Sequence, residues 1–228
     1  MSEPDPVAVN FPLKGEWCAV NTPGHCVPSH GTDMLGQRFA YDFFQIDWSQ
    51  EKGYKWYRSP KWRSRLFGVP LEDALCWSQA IYSPFDAEVV EAYDGWKERN
   101  PAHIVRDLFL AIKNGVTAKP SSNSDLIPIL GNYLILKSNE TYNLIAHAKC
   151  GSLTVVAGDN VCAGQKLAEV GHSGNSTAPH LHFQLMDRSE LLDAIGIPCS
   201  FNHYETYANG EWRVVRNGVP GRRERICA

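Results

Sequence analysis

Apolar and polar residues are most regularly ordered from about residue 131 to 187, in short runs separated by turn residues. Residues 133–136 and 142–147 read as two strands joined by a polar turn at 137–141. A third strand is expected at 153–156, before the turn Gly158-Asp159-Asn160, and a short one carries Leu167, Ala168 and Val170. The clearest alternation lies at 180–185, which a loop of small and polar residues, 171–179, delivers. Upstream, 39–44 and 87–92 also read as strands. Ile104, Leu108 and Ile112 stand at helical spacing and predict a helix over 102–113. The pattern gives a mainly β fold class, an antiparallel β-sheet or sandwich domain with a short helix and two long insertions, at about 47–79 and 96–130. We read 1–228 as a single domain whose core is about 28–44, 81–95 and 131–187.

Composition narrows the function classes. The 228 residues carry a formal net charge of −3, which offers neither a basic footprint for nucleic acid nor a polybasic membrane patch. No run approaches the roughly 18 apolar residues of a membrane span. The N-terminal 14 residues lack the apolar core of a secretory signal, so the cytoplasm is an alternative to any exported location. Seven cysteines without Cys-x-x-Cys spacing make a zinc ribbon a poor reading and leave the redox compartment open. The tryptophans and tyrosines of 47–79 are expected to form a satellite core beneath a long loop. Arg222-Arg223-Glu224-Arg225 is expected to be a solvated tail.

Candidate chemistry gathers on histidines. In a strand, positions i and i+2 share a face, so His180 and His182 point the same way, about 6.6 Å apart at Cα. Leu181, Phe183 and Leu185 then face the core. A hydrolytic zinc site needs about three protein ligands and an open position. Asp42 is a candidate carboxylate because it interrupts an apolar, aromatic strand. His30, His25, Asp33 and His147 are the other candidates.

Taken in order, Ile145-Ala146-His147, Gly158-Asp159, Gly164-Gln165 and Ser173-Gly174-Asn175-Ser176-Thr177-Ala178-Pro179-His180-Leu181-His182 closely resemble the core of the lysostaphin-like (LytM-type) zinc endopeptidases. The resemblance implies a substrate groove across the sheet and a Zn2+ cofactor. His182 is then a metal ligand, together with His30 and Asp42 upstream, Asp33 remaining a rival to Asp42. His147 and His180 become the catalytic pair that orients or deprotonates water and stabilises an oxyanion. The spacing from His30 to Asp42 is longer than the family's compact His-x-x-x-Asp. The implied substrate is a peptide, usually in bacterial peptidoglycan, and the implied location is the cell envelope or the extracellular space. The rivals are a non-catalytic scaffold of the same fold, a biotinyl- or lipoyl-type carrier using Lys166, and a cupin-type metal-binding barrel.

Overall fold

A computed structural model describes residues 5–50 and 54–228; the first four residues, which belong to the leader reading, lie outside them. The strands of the first half are β1 (Val7–Val9), β2 (Glu16–Asn21), β3 (Tyr41–Phe44), β4 (Ala80–Tyr82), β5 (Ala87–Tyr93), β6 (Asn132–Ser138) and β7 (Thr141–Ala148). Those that follow are β8 (Asn160–Val161), β9 (Lys166–Glu169), β10 (Leu181–Met186), β11 (Gly196–Ile197), β12 (Cys199–Ala208), β13 (Glu211–Gly218) and β14 (Ile226–Cys227). The helices are α1 (Lys61–Phe67), α2 (Ile104–Thr117) and the single turn α3 (Ile127–Leu130). The large sheet runs β1-β12-β14-β2-β3-β10-β7-β6-β5-β8, with β11 beside β10 and β13 beside β12, while β4 and β9 pair separately.

The chain is mainly β, as the alternation predicts. It departs from a purely antiparallel sheet at one edge, where β1 lies parallel to β12. Strand β10 is buried along its whole length because both of its faces are covered. Leu181, Phe183 and Leu185 pack with Tyr41, Phe43 and Phe201 on one side, and each such side chain contributes about 1.5–3 kcal/mol by leaving water. His182 and Gln184 occupy the other side, also buried. The centre of the sheet, β3-β10-β7, is therefore held on one face by aromatic packing and carries polar chemistry on the other.

Several expectations need correction. Residues 153–156 form no strand; Thr154 donates its N–H to the Leu167 carbonyl from an irregular segment. The C-terminal forty residues continue the large sheet through β12, β13 and β14. Arg225 is no solvated tail: its guanidinium pairs with Glu16 at 2.7 Å and lies over the rings of Trp48, Tyr207 and Trp212. In the first insertion Trp56 is buried with Val69, Leu71 and Ala178, whereas Trp62 on α1 is 63% exposed. Lys166 pairs with Glu169 at 2.9 Å. All seven cysteines are free thiols; burial raises the Cys76 thiol to about 12.

Candidate metal centre

The register of the central strands brings the first two site residues together. Asp42 on β3 stands directly across from His182 on β10, and His182 in turn faces Ala146 on β7. Cross-strand partners lie about 4.5–5.5 Å apart at Cβ, which puts the two side chains within reach, and Asp42 Oδ1 lies 3.0 Å from His182 Nδ1. The β2–β3 ladder shifts register between Ala19 and Asn21, which sets Asn21 opposite Asp42. The Asn21 amide donates to Asp42 Oδ2 at 2.6 Å. His30 arrives from a loop, its Nε2 3.0 Å from the same oxygen. The extra residues between His30 and Asp42 form a kinked 3-10 segment, Met34–Phe39, in which Leu35 takes a left-handed conformation at φ 58°.

Hydrogen bonds behind the two imidazoles favour one neutral tautomer of each ring. The Ser29 hydroxyl donates to the Ala40 carbonyl at 2.7 Å, so its oxygen accepts from His30 Nδ1–H at 3.0 Å. The Gln184 amide donates to the Leu35 carbonyl at 2.7 Å. That turns its Oε1 toward His182 Nε2–H, 2.9 Å away. Each ring proton thus points outward, and His30 Nε2 and His182 Nδ1 both turn a lone pair toward the Asp42 carboxylate. In those tautomers three acceptors converge, and either a shared proton or a metal cation completes the arrangement. Their ligand atoms all lie within 4.8 Å of one another. A tetrahedral ion with bonds near 2.1 Å holds its ligand atoms about 3.4 Å apart, so the site fits a small ion with nitrogen and oxygen ligands.

The electrostatics agree with the donor set. Burial by itself would raise the Asp42 carboxyl; His30, His180 and His182 outweigh it and hold the group well below the usual carboxylate range. Burial disfavours a charged His182, yet the Asp42 carboxylate and Gln184 prevail and raise it. The pocket therefore draws positive charge inward.

Two further imidazoles complete the groove of about 310 Å³ that opens over this cluster. Between Asn132 and Leu134 the β6–β7 register shifts, and His147 sits at that irregularity with φ 63°. A bulge re-aims a side chain that strict alternation would send elsewhere. His147 Nδ1–H donates to the Ser173 carbonyl at 2.9 Å, leaving Nε2 bare. Burial, then the neighbouring His180 and His182, hold His147 well below the usual imidazole range, and it is neutral. His180 lies one residue before β10. Its Nδ1–H donates to the Ala178 carbonyl at 2.7 Å, its ring stacks on Phe44, and its Nε2 is 3.4 Å from Asp42 Oδ1. The other upstream candidates stand apart: Asp33 pairs with Arg38 at 2.8 Å, and His25 lies 3.3 Å from Arg222.

A buried ionic knot supports the loop that delivers His180. Asp107 of α2 accepts from Arg99 at 2.8 Å, Arg106 at 2.9 Å, the His103 N–H at 2.8 Å and His172 Nε2–H at 3.2 Å. Arg99 also donates to the Gly174 and Ser176 carbonyls. Ser176 Oγ lies 2.9 Å from His172 Nδ1 and 3.2 Å from His180 Nδ1. The second insertion is thereby tied to the site. Sequence reasoning missed Asn21, Ser29, Leu35, Gln184 and this knot, because their partners are set by distant register; only Gln184, on the histidine face of an alternating strand, left a signal.

Comparison with known proteins places the chain in a family. Over 68 residues the chain is 37% identical to the peptidoglycan DD-endopeptidase ShyB of Vibrio cholerae and 31% identical to ShyA of the same organism. Each match covers 30% of this chain and 16% of the relative's length, so the likeness is to a small part of those proteins. Among solved structures, a zinc containing peptidase from Vibrio cholerae is 20% identical, covering 67% of this chain and 37% of that one at a TM-score of 0.33. The catalytic domain of lysostaphin from Staphylococcus simulans is 23% identical, covering 65% and 89% at a TM-score of 0.34. The sequence pattern of Peptidase family M23 matches residues 76–194, a span that contains His147, His180 and His182 but neither His30 nor Asp42. That match takes in more than half of the chain, which therefore belongs to peptidase family M23.

Proposed function

We propose that the protein is a zinc-dependent endopeptidase that hydrolyses peptide bonds in peptidoglycan stem or cross-bridge peptides, acting as one domain in the cell envelope or outside the cell. The observation that carries this reading is the convergence of His30, Asp42 and His182 with their ring protons turned outward, beside the imidazoles of His147 and His180, which lie outside that cluster in the same groove. His30 Nε2, His182 Nδ1 and an Asp42 oxygen would hold Zn2+, which when bound polarises a carbonyl and acidifies water. A neutral His147 takes a proton from the attacking water at Nε2. His180, fixed by the Ala178 carbonyl behind and Phe44 beneath, turns Nε2 into the same groove and would donate from it to the developing oxyanion when that nitrogen carries the proton. The proton gained by this pair then passes to the leaving amine. Peptidoglycan as substrate is supported by what the two Vibrio relatives are named for.

The test is release of peptide fragments from purified sacculi by the zinc-loaded chain. His147→Ala and His180→Ala should each lower turnover by about 10²–10⁴ while keeping full zinc content. Full activity in both variants would overturn the assignment. Gln184→Leu, which removes the acceptor behind His182, should weaken zinc binding by about 10–100-fold. A chelator competition reads that loss directly, and an unchanged affinity would show that the amide does not orient the ring.

A further inference from the structure

Helix α2 is built inside out. Its inward face is Asp107, Leu110, Ala111 and Asn114, with Asp107 in the ionic knot and Asn114 donating to Asn175 at 2.7 Å. The opposite face carries Ile104, Val105, Leu108, Phe109, Ile112 and Val116, all exposed, with Phe109 at 66% and Val116 at 80%. A helix normally buries its apolar stripe. Here the knot demands the polar side, and the stripe is left to water. The short helix α1 repeats the oddity: it buries no residue, and Trp62, Leu66 and Phe67 are each more than half exposed. The two helices meet across one cleft, lined by Ser64 and Arg65 from α1 and by Ile104 and Val105 from α2. Exposed apolar groups gathered in this way mark an interaction surface.

The charges around the stripe decide what covers it. Lys61, Arg63, Arg65, Lys113 and Lys119 are exposed. The one acidic residue of either helix, Asp107, is buried and occupied. A second copy docked symmetrically would set these cations against themselves, and protein interface cores are depleted in lysine. The chain's net charge of −3 conceals the patch, yet charges beyond about 10 Å are screened, so the local cations prevail at a surface. Apolar side chains rimmed by Lys and Arg are the make-up of a helix lying in a lipid interface. We propose that α1 and α2 together seat the protein on an anionic phospholipid surface. The contact is peripheral. The 14 residues of α2 reach about 21 Å, short of the roughly 30 Å hydrocarbon layer, and no helix among the described residues is long and apolar enough to cross it.

The experiment is co-sedimentation of the full chain with vesicles of phosphatidylcholine alone and of phosphatidylcholine mixed with phosphatidylglycerol. The protein should pellet with the mixed vesicles, and added salt should release it. Val105→Ser with Phe109→Ser should lower the partition coefficient about tenfold or more, with an unchanged melting temperature because both side chains are exposed. Lys113→Gln and Lys119→Gln leave the apolar stripe intact and should each cost about fivefold. Failure to pellet with the mixed vesicles, or equal pelleting of the serine variant, would overturn the proposal. So would a dimer in sedimentation equilibrium that the serine substitutions dissociate, since the stripe would then be covered by a second copy.

Discussion

His182→Ala should leave the purified, dialysed protein with little zinc and no measurable hydrolysis of sacculi. In the proposed centre the side chain would supply one of three ligand atoms, and its loss also removes the partner of Gln184 Oε1 and the nearer partner of Asp42 Oδ1. Disturbing only the bond behind a ligand costs about 10–100-fold in affinity, so removing the ligand itself should cost more. Elemental analysis of the variant beside the wild type provides the check. A full zinc complement in His182→Ala would place the metal elsewhere and sink the upstream assignment of His30 and Asp42 with it. The contrast with His147→Ala, in which zinc should stay and turnover fall, separates binding from chemistry.

The largest stability effect is expected at Asp107. Asp107→Ala leaves Arg99, Arg106 and His172 without their shared acceptor, at a buried position. Removing one partner of a fully buried ionic group costs about 3–5 kcal/mol; Arg99 and Arg106 stay part-exposed and keep carbonyl acceptors, so the loss should lie toward the lower end of that range, still a large share of the roughly 5–15 kcal/mol that holds a domain together. Urea unfolding should show the midpoint drop, and a midpoint shift worth less than about 1 kcal/mol would reduce the knot to ornament. The pH dependence has a definite sign. Burial would raise the Asp107 carboxyl, but His172, Arg106, the His103 N–H and Arg99 outweigh it and hold the group far below its ordinary value. A folded pKa below the unfolded value of about 3.9 adds stability that is present above that value and is lost as pH falls toward the folded one. Asp107→Asn should therefore be less stable near neutrality and show a flatter loss on acidification.

How much of this was legible beforehand depended on whether a residue's role is local. The β10 alternation showed that His180 and His182 share a face, and an acid inside the apolar strand at 39–44 singled out Asp42. Proximity of His30 and His147 to those residues was not legible from periodicity. His147 reaches the groove through a bulge and a left-handed φ, neither of which an alternating pattern reveals. Asn21, Ser29 and Gln184 act on groups that register or loop closure brings to them. The helix at 102–113 was predicted close to its observed Ile104–Thr117, but its orientation was not. Apolar spacing tells that a helix is two-sided; the buried Asp107 with its three cationic or imidazole partners decides which side turns inward.

The pairing of Asp42 directly across from His182 has a consequence for how the sheet assembles. Sliding β3 by one residue would turn Asp42 to the face now held by Tyr41 and Phe43 and so remove a proposed ligand at a stroke. A misaligned sheet cannot chelate, so metal captured during folding would select the correctly aligned chain. The ion would then act as a proofreader of strand alignment before it takes any part in catalysis.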